Sequence, residues 1–327
     1  MQNVRIYKYD NIKAFLILLV IIGHMSTPYV RDSHMLRSIT LFLCIFHMPA
    51  FIFLAGLFHK QSNIKRAIGY FICAYLLKII IFYTRILVGQ NPTWEWFREE
   101  QIPWFLMALS MYEIIFLIAD KINKKHLMII SILCSLVVGY FNFNDILAIN
   151  RMFNFLPFFT LGYILDKDKL LSFLENKKTK RISCIIIFIT ILSCIPWKAY
   201  PFRVWVAGKK TYYSLLSNNE SFISYAWLLK LGTLILSSLV MFAIMSLISN
   251  KNITYITTSG QQTLQVYFWH RPFCYLIQYF GVFPYLLNTF KTFGVILYIL
   301  LSMLLYVILN LSLFKQPTTY IMKLTKK

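Results

Sequence analysis

The stretch YDNIKAFLILLVIIGH, Tyr9–His24, decides what kind of protein this is. From residue 12 to about residue 30 the chain is apolar, and only Lys13 and His24 carry ionisable side chains. A bilayer-spanning helix needs about 20 mostly apolar residues, because each residue rises 1.5 Å and the hydrocarbon core is about 30 Å thick. The run is too long for the core of a secretory signal, and Ser26-Thr27-Pro28 follows it where a small-x-small cleavage site would stand. It reads as an uncleaved first spanning helix.

Working outward with the same ruler gives ten runs, at about 12–30, 36–58, 67–89, 102–119, 126–140, 146–165, 182–197, 222–248, 262–280 and 293–314. The fifth is short, and Asn150, Arg151, Asn154 and Pro157 interrupt the sixth. The fold expected is all-α and polytopic, with about ten transmembrane helices in one domain spanning 1–327 and no soluble accessory domain. Bulk composition agrees. Of 327 residues, 58% are hydrophobic and 14% charged, against about 45–50% and about 25% in soluble domains. Too little polar surface remains to clothe a soluble core, so soluble enzymes and disordered chains are excluded.

Net charge is +21, which in a soluble protein would suggest nucleic acid. Here the cations cluster between apolar runs, as in cytoplasmic loops. With the N-terminus inside, 19 Lys and Arg fall on the cytoplasmic side, among them Arg5, Lys65, Arg66, Lys167, Lys326 and Lys327. Nine fall opposite, among them Arg37, Arg98, Arg151 and Arg203. That ratio places both termini in the cytoplasm and the protein, multi-pass, in the cell membrane. No nucleic-acid partner is expected.

Ionisable groups inside a membrane cost about 2.5–3.5 kcal/mol each on insertion scales and are functional candidates by default. Lys78 and Glu113 are expected to neutralise one another, Arg85 to snorkel, and Lys230 to pair or snorkel. His34, His59 and His126 read as solvated, because they lie in or beside loops. Lys13 and His24 are different. They are 11 residues apart, three helical turns, and so share one face about 16 Å apart. Asp10 precedes Lys13 by one turn, and His24 falls just past the midplane. A phosphorylated carrier anchored at the cation could deliver a thioester to the histidine, and acyl-CoA has that shape. The six cysteines lie in apolar runs without metal-ligand spacing, the histidines are scattered, and no metal is expected. GxSxG, Walker and GxGxxG motifs are absent.

These residues resemble the acyltransferase 3 family of integral membrane O-acyltransferases, and within it the fucose 4-O-acetylase-like branch. Lys13 and His24 match the family's basic-x10-His signature. Phe46-His47-Met48-Pro49 with Leu54-Ala55-Gly56, Trp104-Phe105-Leu106, Arg151 with Pro157-Phe158-Phe159, and Tyr267-Phe268-Trp269-His270 match later motifs in the family's order. The likeness covers residue 5 to about 275. The family's Arg-x-x-Arg element is missing after the second run, where Lys60, Lys65 and Arg66 stand instead.

The resemblance implies transfer of an acetyl group from cytoplasmic acetyl-CoA to a hydroxyl of a cell-surface or exopolysaccharide sugar. It implies His24 and Asp10 as catalytic residues and Lys13, Lys65 and Arg66 as the CoA side. Arg151, Trp104, His47, Glu113 and His270 would form the substrate side. Expected partners are a glycan or lipid-linked saccharide acceptor, membrane lipids and other polysaccharide-assembly proteins. The competing readings are a transporter or flippase for a glycan intermediate, with buried charges lining its path, and another membrane O-acyltransferase fold acting on lipids or proteins.

Overall fold

A computed structural model describes residues 6–99, 102–119, 121–217 and 219–325. Arg5, Lys326 and Lys327, counted above on the cytoplasmic side, lie outside the described residues. In chain order the helices are α1 (Tyr7–Ser26), α2 (His34–Phe58), α3 (Ile64–Leu87), α4 (Trp104–Ala119), α5 (Lys124–Val137), α6 (Ile149–Ile164), α7 (Lys167–Glu175) and α8 (Lys177–Cys194). They continue as α9 (Phe202–Ala207), α10 (Tyr212–Leu215), α11 (Ala226–Leu247), α12 (Thr254–Gln261), α13 (Thr263–Tyr279), α14 (Val282–Phe290), α15 (Thr292–Leu309) and α16 (Thr318–Leu324). The protein is an all-α polytopic membrane protein. Each of the ten apolar runs is occupied by a helix. By length and composition, Tyr7–Tyr29, His34–Phe58, Ile64–Leu87, Glu220–Leu247 and Thr292–Leu309 are sufficient to cross a membrane.

Lipid explains what the helices leave outside. Phe188 and Ile189 on α8, Ile129 and Leu133 on α5, and Leu300 and Leu304 on α15 are large, apolar and exposed. Such stripes are tolerated where the solvent is hydrocarbon. Inside, α1 packs against α2, α12, α13 and α15, and α2 runs along α6. Glycine permits the second pairing. A Cβ on Gly56 would lie 2.0 Å from the Phe159 carbonyl oxygen, and one on Gly162 would lie 2.0 Å from that of Phe53. Two backbones therefore touch where membrane helices use small residues to approach.

The first helix begins at Tyr7, five residues before the apolar run. Its extra turn is polar, yet it is held by a second polar segment. Lys8 Nζ donates to Glu175 Oε1 at 2.7 Å and to the Ser246 carbonyl at 3.2 Å. Asn11 Nδ2 donates to the carbonyls of Ser249 and Lys251, both at 2.9 Å, and Thr257 Oγ1 donates to Asn11 Oδ1 at 2.8 Å. With the helix starting earlier, His24 is two residues from its last residue, Ser26, and not at its middle. Thr325 packs on Gly69 near the start of α3, bringing the other described end of the chain to the same end of the bundle.

A Gly56→Ala or Gly162→Ala substitution would force α2 and α6 apart. The expected result is a fall in monodisperse protein recovered in detergent, together with a lowered unfolding midpoint, while Gly232→Ala, whose Cβ meets nothing within 4 Å, leaves both unchanged.

Candidate active site

Lys13 emerges one turn beyond the lashed start of α1. A Cβ on Gly260 would lie 1.9 Å from the Asp10 carbonyl oxygen, so α12 presses on this turn and fixes it. Asp10 then pairs with Lys13 at 2.7 Å. The Lys13 ammonium lies 5.4 Å from the centre of the Phe58 ring, and that of Lys167 lies 4.5 Å from the same ring. Two cations thus lie against one aromatic ring at the C-terminal end of α2, and a quarter of the Lys13 side chain is open.

From Lys13 a cavity of about 240 Å³ leads inward. Lys13, Ile17 and Val20 supply one wall, at the four- and three-residue steps of a single helical stripe. Met48, Phe51, Ala55 and Phe58 supply the α2 wall at the same steps, and Phe105, Leu109 and Tyr267 are among the residues that line the rest. One further turn along the α1 stripe stands His24. The cavity walls are mostly apolar, with Lys13 at one side, and the cavity itself stops short of the histidines.

At the far end the rings of His24 and His270 face one another, with centroids 5.2 Å apart and planes tilted by 35°. His270 is fully buried. Its Nδ1 lies 2.7 Å from the Tyr267 carbonyl oxygen, which can only accept, so Nδ1 carries the proton and Nε2 presents a lone pair. That Nε2 is buried and has no hydrogen-bond partner among the described residues. His47 Nδ1 contacts the Leu43 carbonyl and is fixed in the same tautomer. His47 and Arg271 are both near enough to act electrostatically on His24. The Arg271 guanidinium lies over Tyr275, 4.3 Å from the ring centre. Sequence reading singled out His270 through the Tyr-x-x-His pattern but left Arg271 without a role.

Other expected site residues are distributed differently. Asp10 lies 14 residues from His24 on one helix, about 21 Å along the axis. Its carboxylate pairs with Lys13 at that end of the helix. Glu113 does not meet Lys78. It receives Arg66 in a bidentate pair, Nε–Oε1 2.6 Å and Nη2–Oε2 2.9 Å, and the Asn63 amide at 3.1 Å. Arg66 and Glu113 are thus tied together at the Lys13 end, because the α2–α3 turn folds back over the end of α4. His59 joins them, 3.6 Å from Glu113 Oε1 with its side chain 2% exposed, where a solvated loop residue was expected. Phe116, Phe159 and Tyr163 surround its ring.

Lys78 instead reaches Glu99 at 3.7 Å and the Glu95 carbonyl at 2.6 Å. Lys230 is buried within α11 without an ion pair among the described residues, neither paired nor snorkelling. Lys65 sits in the first turn of α3, its amide capped by Asn63 Oδ1 at 2.8 Å. At the opposite end of the bundle Arg151 donates to the Glu99 carbonyl and lies 5.0 Å from the centre of the Trp104 ring. Trp104 itself stacks on Phe155 at 5.3 Å. Trp104 connects to the histidines through Phe105, whose ring is 5.2 Å from Tyr267. Among the described residues no three His, Cys, Asp or Glu side chains gather to hold a metal ion.

Comparison with known proteins adds one decisive finding. A family model described as an acyltransferase domain, acyltransferase 3, matches residues 6–311. The chain belongs to the acyltransferase 3 family. No curated protein and no solved structure matches it. The match includes Lys13, His24, the cavity walls and His270, so the features assembled above all lie inside this membrane acyltransferase's family domain.

The Glu113–Arg66 pair is a structural tie, and removing one partner strands the other. Glu113→Ala is expected to cost about 3 kcal/mol, read as a lowered unfolding midpoint in detergent, and Arg66→Ala the same or more because Glu113 is the more buried partner.

Proposed function

We propose that this acyltransferase moves an acetyl group from cytoplasmic acetyl-CoA to a sugar hydroxyl of a cell-surface glycan or its lipid-linked precursor. The observation that carries the reading is one stripe of α1. It begins at a cation a quarter of whose side chain is open, lines a mostly apolar cavity, and ends at a facing pair of histidines. Acetyl-CoA has the complementary order: an anionic nucleotide, a slender uncharged arm and a terminal thioester. In this reading Lys13 and Lys167 meet the phosphates, the cavity takes the arm, and the thioester reaches His24 about 16 Å along the helix. The Lys13 end is then cytoplasmic, which agrees with the cation count, and the protein sits in the cell membrane.

In this reading neutral His24, packed ring against ring on His270, uses a ring nitrogen as a base. That nitrogen takes the proton of the acceptor hydroxyl as the oxygen attacks the thioester carbonyl. The tetrahedral intermediate collapses by breaking the C–S bond, and the imidazolium returns its proton to the departing thiolate. In this reading Arg271, which follows His270 in the chain, steadies the negative charge that develops on the carbonyl oxygen. In this reading the acceptor approaches past Arg151 and Trp104, a cation and an indole at the end of the bundle opposite Lys13.

Membranes containing the protein, supplied with radiolabelled acetyl-CoA and the producing cell's own glycan, should incorporate label. His24→Ala should reduce incorporation at least a hundredfold, the contribution of a general base. Lys13→Ala should raise KM for acetyl-CoA about tenfold with kcat little changed, and Lys13→Arg should restore it. Full transfer by folded His24→Ala would remove this mechanism.

A further inference from the structure

At the end of the bundle opposite Lys13, a second cluster of polar groups lies outside the histidine site. Arg37, in the first turn of α2, is 2% exposed. Its Nε, Nη1 and Nη2 are all buried and have no hydrogen-bond partner among the described residues. Trp197 covers it, with the guanidinium carbon 3.3 Å from the ring centre. That contact satisfies the face of the guanidinium, but its N–H bonds point outward in the plane and are not met by stacking.

Tyr200 is beside it, its hydroxyl also buried and without a partner among the described residues. Arg203 lies over the Tyr200 ring, 4.9 Å from its centre, and both guanidinium groups act electrostatically on that phenol. These residues come together because the chain bends by 100° between Lys177–Cys194 and Trp197–Ala207, carrying the second segment against the start of α2.

A buried guanidinium with unmet donors is costly, since each unsatisfied polar group forfeits its hydration. Native chains retain such groups where a ligand completes them. Three unmet nitrogens in a plane held flat by an indole, with a hydroxyl donor and a second arginine adjacent, form a donor set without an acceptor. Planar forks of this kind bind tetrahedral or planar oxyanions in bidentate fashion, and two cations favour a phosphate over a carboxylate.

We infer that Arg37, Trp197, Tyr200 and Arg203 form a binding site for a phosphate group, separate from the CoA end of the molecule. The site is 10 residues, about 15 Å along α2, from His47 beside the reacting histidine. A single extended acceptor could place its phosphate here and its hydroxyl at His24. That last assignment rests on the proposed function, whereas the binding site does not, and a binding readout separates the two.

The test is the thermal unfolding midpoint of the full chain in nonionic detergent. It is titrated with inorganic phosphate, with dihexanoyl phosphatidic acid, and with sodium chloride at matched ionic strength. A saturable rise is expected with phosphatidic acid and none with chloride. A rise with inorganic phosphate as well assigns the site to the phosphate group alone, and a rise only with the lipid assigns it to a lipid-borne phosphate. Arg37→Met should abolish the response, and Tyr200→Phe, which removes one hydroxyl, should weaken the apparent Kd about tenfold. The inference is overturned by no rise with either phosphate, by an equal rise with chloride, or by a response that survives in Arg37→Met. Should Arg37→Met not fold, an unchanged Kd in Tyr200→Phe overturns it equally.

Discussion

The tethering of the first turn of α1 is the constraint on which the rest depends. Lys8, Asp10 and Asn11 would each be costly at the edge of a lipid phase. The segment 246–260 supplies carbonyls, a hydroxyl and a close-packed glycine to receive them. Once this turn is fixed, the stripe through Lys13, Ile17 and Val20 has one direction left, toward α2, α4 and α13. His24 is then carried to His270 by helical geometry alone. The same tie explains why Asp10 is oriented toward Lys13 and not toward the distant histidines.

A membrane interior separates structural from functional polar groups by whether they are satisfied. Lys8, Lys78 and Glu113 are surrounded by acceptors or donors suited to their charge, and each ties a loop to a helix. His270 Nε2 and the Arg37 guanidinium retain buried atoms that no described residue meets. In a solvent that offers no hydrogen bonds such atoms are costly, and the proposed donor and phosphate sites are built on them.

Much of this was legible in the sequence because its code is simple. Apolar length placed a helix in each of the ten runs, and an 11-residue spacing put Lys13 and His24 on one face. What could not be read was pairing across the chain. Glu113 is 47 residues from Arg66, and its partner depends on how the α2–α3 turn folds over α4, which periodicity does not encode. His59 looked solvated because it follows the last residue of a helix, and only the aromatic rings of α4 and α6 bury it. The early start of α1 was hidden because polar residues in a helix become favourable only when distant acceptors are present. Arg37 was counted only as a cation outside the cytoplasm. Its lack of a carboxylate partner among the described residues needed coordinates.

The central claim is that the cavity between Lys13 and His24 is the donor's route. Ala55 lines it from α2. The direct measurement is the initial rate of acetyl transfer by Ala55→Trp, shown to be folded by size-exclusion chromatography. The indole should fill the cavity and reduce transfer to under about a hundredth of the wild-type rate, an obstruction worth at least about 2.7 kcal/mol in the barrier. Transfer at the wild-type rate through a filled cavity would contradict the account.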